Sequence, residues 1–205
     1  MDRRELLKMI AMVTGSAVIG GEFFLSGCTS GVKTDAGFTA ANISLLDEVG
    51  ETILPATSSP GAKAAQVGEF MKLTVTDCYS PAERDIFTKG IVELQDACKK
   101  MHGRSFMACS AEDRTALLMK LEGESREHNK KLIEKEKSLR EEAMKENKEV
   151  KFVSTPGHYY TMMKQLTLLG FFTSKPGATE ALRYIAVPGK YDGALPYKKG
   201  DKAFS

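Results

Sequence analysis

Ser80-Pro81-Ala82-Glu83-Arg84-Asp85-Ile86-Phe87-Thr88-Lys89-Gly90-Ile91-Val92-Glu93-Leu94-Gln95-Asp96-Ala97-Cys98-Lys99-Lys100-Met101-His102-Gly103 is the stretch that decides the fold. Its first four residues carry both halves of a capping box. The serine hydroxyl can accept an amide hydrogen of the first turn, and a glutamate three residues on can reach back to the serine amide. Proline stands at the first helical position, where no amide hydrogen is needed. Phe87, Ile91, Leu94, Cys98 and Met101 then recur at intervals of three and four, one face of an α-helix, and Gly103 can adopt the left-handed conformation that ends it.

Outward from this helix the same periodicity recurs. Upstream, Thr39 is placed to cap a helix with Ile43, Leu46, Val49, Gly50 and Ile53 on one face, stopped by Pro55. Ala56 to Gly61 has loop composition, and Val67, Phe70, Met71 and Val75 mark a second helix reaching about Asp77. Downstream, Ser110-Ala111-Glu112-Asp113 resembles another capping box, followed by Leu117, Leu118 and Leu121. Residues 122–151 hold nine acidic and nine basic residues in thirty positions. Pairs such as Glu127/Lys131, Glu136/Arg140 and Glu141/Lys145 favour a charge-laced helical arm, either solvated or laid over a partner.

Thr155-Pro156 opens a further helix carrying Tyr159, Met162, Met163, Leu166 and Leu169, with Gly170 as its stop. Phe171 to Gly177 then reads as turn, Ala178 to Tyr184 as a short helix, and the remainder as an extended tail without period. The fold expected is therefore mainly α: one small domain over residues 38–205, of about five to six helices, with an irregular C-terminal tail.

Composition agrees with a globular chain: 205 residues, 42% hydrophobic and 27% charged. Lysine and arginine number 29 against 27 aspartate and glutamate, a formal charge of +2 with the signs interspersed. No one-sided basic field is available, which disfavours nucleic acid as a partner.

The first residues read as an address. Arg3-Arg4 precedes an apolar run of thirteen residues from Met9 to Gly21, too short for the ~20 residues of a membrane-spanning helix. The pattern looks like a twin-arginine signal. Leu25-Ser26-Gly27-Cys28 resembles the lipobox of bacterial lipoproteins, so Cys28 is the expected acylated residue after removal of residues 1–27, with 28–37 as a polar tether. A membrane anchor through lipid and a periplasmic location follow, several acyl groups being needed for firm attachment. The twin-arginine route usually carries cargo folded around a cofactor. Yet the chain has no Gly-x-Gly-x-x-Gly turn, no phosphate-binding Gly-x-x-x-x-Gly-Lys-Ser/Thr loop and no His-Glu-x-x-His. Either this protein folds fast by itself, or it escorts a partner that holds the cofactor.

Catalytic and metal constellations are equally sparse. None of His102, His128 and His158 pairs with another histidine at helical spacing, and Cys98, His102 and Cys109 offer three irregularly spaced groups without an evident fourth zinc ligand. No Gly-x-Ser-x-Gly elbow occurs, and Tyr159 and Tyr160 beside His158 read as packing at a helix start. Neither catalytic, cofactor-binding nor metal-binding residues are assigned. Among the cysteines, one helix over residues 80–101 places Cys98 about 27 Å along its axis from Ser80. Cys78 and Cys98 are then too far apart to bridge, since linked Cα atoms lie within about 7 Å. A hairpin turn between helices can bring Cys98 to Cys109, giving an expected Cys98–Cys109 disulfide; the other reading is three buried, reduced thiols.

Taken in order, the Arg-Arg signal, Phe38-Thr39, Glu51-Thr52-Ile53-Leu54-Pro55-Ala56-Thr57, the Ser80-Pro81 helix, Leu166-Thr167-Leu168-Leu169-Gly170-Phe171-Phe172-Thr173-Ser174 and Val187-Pro188-Gly189-Lys190-Tyr191 resemble the gluconate 2-dehydrogenase subunit 3 family. The resemblance implies a small non-catalytic subunit in the periplasm. Such a subunit escorts, exports and stabilises a large FAD-dependent dehydrogenase of the glucose-methanol-choline type, acting on a sugar, sugar acid or glycoside and often accompanied by a cytochrome c. FAD then belongs to the partner and not to this chain. Leu54, Pro55, Phe171, Phe172, Tyr184, Pro188 and Tyr191 are the expected partner-facing or partner-supporting residues, against the alternative that they are intramolecular core. The rival function is a free-standing helical periplasmic lipoprotein that binds a ligand or envelope partner.

Overall fold

The computed structural model describes residues 38–145, 155–187, 189 and 192–204. Five α-helices form among them: α1 (Ala40–Ile53), α2 (Val67–Asp77), α3 (Pro81–His102), α4 (Ala111–Lys145) and α5 (Tyr159–Thr173). Short 3-10 turns at Ala62–Ala65 and Phe106–Ala108 join α1 to α2 and α3 to α4, and a single π-turn, Gly177–Ala181, follows α5. No strand is present among the described residues, only an isolated bridge between Arg183 and Phe204. The expected mainly helical domain is what forms.

Local chemistry sets the helix ends as the sequence suggests. Thr39 accepts a hydrogen bond from the Asn42 amide at 3.2 Å, capping α1. At α3, Ser80 N donates to Glu83 Oε2 at 2.9 Å and Glu83 N donates back to Ser80 Oγ, closing the box. Gly103 ends that helix at φ 70°. Ser110 Oγ accepts from the Asp113 amide at 3.1 Å at the start of α4.

Helix α5 is the centre, packing against each of the other four. Tyr159, Tyr160, Met162, Met163, Leu166, Thr167, Gly170 and Phe171 are all buried and share one broad face. Leu168, Leu169 and Phe172 lie exposed on the opposite face, so hydrophobicity does not separate the two faces and leaves no clean amphipathic stripe. That explains two corrections. Gly170 does not stop α5 but lies inside it, and a Cβ there would come within 2.7 Å of the Phe70 ring on α2. The residues from Phe171 to Thr173, read as turn, continue the helix because Phe171 has core to occupy. At its other end α5 begins at Tyr159 rather than Thr155, with His158 as cap: His158 Nδ1 accepts from the Tyr160 amide at 3.2 Å.

Other expectations shift for similar reasons. Met101, assigned to the buried stripe of α3, is 43% exposed in the last turn of that helix. Leu169 faces outward on α5. Expected as a short helix, the segment after Pro176 makes only the π-turn, where a Cβ on Gly177 would strike the Phe171 carbonyl. The charged run continues α4 without a break to Lys145; beyond Ser125 none of its side chains is fully buried, and residues 146–151 of the expected arm lie outside the described residues. Near the C-terminus, Arg183 N donates to Ala203 O at 2.8 Å and the Arg183 guanidinium lies 4.7 Å from the Phe204 ring centroid, so the two ends of the 184–203 segment are clasped together.

Candidate functional site

Gly50, near the end of α1, marks the closest approach of that helix to the Ala62–Val67 turn and to α5. A Cβ on it would touch Val67, Ala62 and Thr167. Thr167 is fully buried and donates its hydroxyl to the Met163 carbonyl at 2.8 Å, so α5 approaches α1 without an unpaired polar group.

Just past this crossing, Glu51 organises the loop that follows α1. Its carboxylate accepts the amides of Ala56 at 2.8 Å and Lys63 at 2.9 Å, tying both ends of the loop to the helix. Gly61 has to be a glycine, since a Cβ would sit against that carboxylate and within 2.6 Å of the Ala56 nitrogen. An acid in the last turn of a helix opposes the macrodipole. That conflict is the one signal in the sequence that could have marked Glu51 as an anchor.

Glu48, one turn earlier, is the hub of an ion cluster that sequence reasoning missed. Lys63 Nζ lies 2.8 Å from Glu48 Oε2, and Arg114 Nη1 pairs with Glu48 Oε1. The Lys63 hydrogen bond, with Arg114 beside it, holds the Glu48 carboxyl below its usual range. Arg114 also donates to the Phe106 and Met107 carbonyls at 3.0 and 2.9 Å, fastening the α3–α4 turn to α1. Asp47 accepts the Gly68 amide at 2.8 Å at the start of α2, and burial raises its carboxyl above the ordinary value.

Between the end of α1, the first half of α4 and the first half of α5 opens a groove of about 480 Å³. Ile53, Leu118 and Tyr160 give it apolar walls, and Glu122, Arg126 and Lys164 stand among its polar lining. Lys164 Nζ lies 2.9 Å and Arg126 Nε 3.1 Å from the Glu122 carboxylate, and the Lys164 bond lowers the Glu122 carboxyl. Burial pushes the Tyr160 phenol up to about 12. At neutral pH Glu122 is therefore an already paired carboxylate and Tyr160 a neutral phenol. Neither is tuned to exchange protons near neutrality, and what the groove offers is apolar contact framed by charge.

The expected interface residues divide. Phe171 is 4% exposed and belongs to the core; it can support a partner surface but not face one. Leu54 is half-buried, packed against that core. Pro55 is exposed, Phe172 is 39% exposed with its ring edge-on to Phe171, and Tyr184 is 57% exposed. Leu168 and Leu169 also face outward on the last turns of α5; Leu169 belongs with Leu166 to the apolar set expected for that helix, and neither leucine is among the expected interface residues. Pro188 and Tyr191 lie outside the described residues, as do Arg3, Arg4 and Cys28. Cys98 and Cys109 are brought together, both buried, with their sulfurs 3.4 Å apart as two thiols. Cys78 is exposed.

Among the described residues no group of three or more His, Cys, Asp or Glu side chains is arranged to hold a metal ion, and no helix is long and apolar enough to cross a membrane. No curated protein and no solved structure matches the chain. A family model described as gluconate 2-dehydrogenase subunit 3 matches residues 40–189, from the first residue of α1 past the end of α5. With all five helices inside that match and most of the chain covered, the protein belongs to the gluconate 2-dehydrogenase subunit 3 family.

Proposed function

We propose that this chain is the non-catalytic small subunit that escorts, exports and stabilises an FAD-dependent dehydrogenase of the glucose-methanol-choline type, acting on a sugar, sugar acid or glycoside. On this reading FAD is held by the large subunit, a cytochrome c can complete the assembly, Arg3 and Arg4 direct export by the twin-arginine route, and a lipid on Cys28 anchors the complex in the periplasm. The observation that carries it is the family match across all five helices, whose description names a subunit of a dehydrogenase of several chains. An export signal suited to folded, cofactor-loaded cargo, on a chain with no cofactor motif, supports the escort role.

The surface for the large subunit is the outer face of α5 near its end, Leu168, Leu169 and Phe172, together with Pro55 and Tyr184. Exposed aromatic and aliphatic side chains of this kind are what fills the centre of a protein interface. The experiment is a pull-down of the tagged full chain from detergent-solubilised cells, with absorbance of the eluate at the flavin bands and identification of co-eluting chains. A large flavoprotein at near-equal stoichiometry is expected. A colourless single chain from cells that express such a flavoprotein overturns the reading in favour of a free-standing lipoprotein.

A further inference from the structure

We infer that Cys98 and Cys109 form a dithiol that closes to an intrachain disulfide once the folded protein meets a disulfide oxidant, locking α3 to α4. The residues reach each other by three separate devices. Gly103 reverses the chain in the left-handed conformation after α3. The Phe106–Ala108 turn then buries Phe106 and delivers Cys109 in extended backbone just before α4. Gln95 Oε1 accepts the Phe106 amide at 3.2 Å from the α3 side, and Arg114 grips the Phe106 carbonyl from the α4 side. None of these contacts uses sulfur, so the reduced hairpin is already assembled with its sulfurs 3.4 Å apart. Closing to the ~2.05 Å of a disulfide requires a small approach of two side chains, not a rearrangement of helices.

The chemistry is two successive exchanges with a disulfide such as oxidised glutathione. Cys109, 7% exposed against 0% for Cys98, is the one that an oxidant reaches first. Its thiol loses a proton, its sulfur attacks the glutathione disulfide, and one glutathione thiolate departs. Cys98 then loses its proton and attacks Cys109 Sγ; the Cys98–Cys109 bond forms and the second glutathione thiolate leaves. The two glutathione thiolates take up the two protons, and the protein is oxidised by the two electrons that reduce glutathione. Burial, with the Cys109 thiol beside it, pushes the Cys98 thiol up to about 12. That slows every attack by Cys98, since only a thiolate attacks; complete burial keeps solvent reagents away from it, while its position 3.4 Å from the Cys109 sulfur lets it resolve the mixed disulfide once it is deprotonated.

The inference is independent of which dehydrogenase the chain accompanies. Its test uses the full chain carrying Cys28→Ser and Cys78→Ser, which leaves this pair as the sole sulfhydryls of the four cysteines. Protein purified reduced is treated with oxidised glutathione, denatured in the presence of an alkylating agent, and mapped by mass spectrometry. A 98–109 linked peptide is expected, with loss of both titratable thiols, no glutathione adduct and no dimer. The thermal midpoint should rise by roughly 5–15 °C and fall back with dithiothreitol. Two alkylated cysteines after oxidation, or a stable glutathione adduct on Cys109, overturns the inference. Cys98→Ala with Cys109 retained gives the complementary arm: it should stop at the Cys109 adduct, and failure to acquire one overturns the order of attack.

Discussion

Tyr159 stands directly on Gly90: a Cβ on that glycine would overlap the tyrosine's Cβ and Cγ where α5 crosses α3. Those atoms adjoin the backbone and cannot swing aside, unlike the far end of a flexible chain. Gly90→Ala gains up to about 1 kcal/mol of helix propensity but overpacks a close crossing, at about 1–3 kcal/mol or more. Net destabilisation is expected in urea unfolding. Gly123→Ala is the matched control, because nothing lies within 4 Å of its Cβ position in α4; it should stabilise by about 0.5–1 kcal/mol. Equal effects of one sign at both sites would refute the close crossing.

Glu51→Ala removes the carboxylate that accepts the Ala56 and Lys63 amides. Water can reach this exposed loop and replace part of the loss, so about 1–2 kcal/mol is expected rather than the full value of two charge-assisted bonds. Glu51→Gln keeps one acceptor oxygen and should fall between. Amide hydrogen exchange at Ala56 and Lys63 gives the direct readout: both should speed up in the alanine variant while exchange in α3 is unchanged.

His158 should make stability depend on pH near the histidine range. Burial lowers its pKa from 6.5, with His128 adding to that effect and Glu124 and Glu93 opposing it. Because the folded pKa is depressed, the unfolded chain takes up the proton first as pH falls. Stability supported by neutral His158 is then fully present above about pH 6.5 and declines from there toward the lower folded pKa. Protonation also removes the Nδ1 lone pair that accepts the Tyr160 amide. His158→Asn keeps a capping acceptor without a titrating ring, so its unfolding free energy should fall less steeply between pH 7.5 and 5.5, values chosen to bracket an ordinary histidine. Parallel slopes for the two proteins would remove His158 as the cause.

Adjacent phenylalanines should separate folding from partnership. Phe171→Ala empties a core position and should cost about 3–5 kcal/mol with loss of helical circular dichroism on mild heating. Phe172→Ala, combined with Leu169→Ala, trims exposed side chains and should leave the thermal midpoint within a few degrees while the large subunit no longer co-purifies. Retention of the large subunit by the double variant would place the interface elsewhere.

What could be read from sequence was what is decided within a few residues. The Ser80/Glu83 box, the Thr39 cap and the Gly103 terminator depend on neighbours three or four positions away, and each forms as expected. Gly170 and Phe171 depend on partners far along the chain: the glycine exists for the Phe70 ring, and the phenylalanine turns inward because α5 runs through the middle of the bundle. Nothing local distinguishes a glycine that ends a helix from one that lets another helix approach. The same holds at Glu51, whose two amide partners lie five and twelve residues away, and at the groove, which belongs to three helices at once.

The clasp between Arg183 and Phe204 makes the C-terminal segment a ring in all but covalent structure. A free tail landing on a partner must surrender nearly all its chain disorder on contact, whereas a looped segment has given up a share of it beforehand, and its ends cannot wander apart. Removing the residues from Lys202 onward would therefore act at a distance, freeing Tyr184 and Tyr197 to roam without altering either side chain. A purification handle fused after Ser205 would tug at the same knot, and one placed elsewhere would leave it tied.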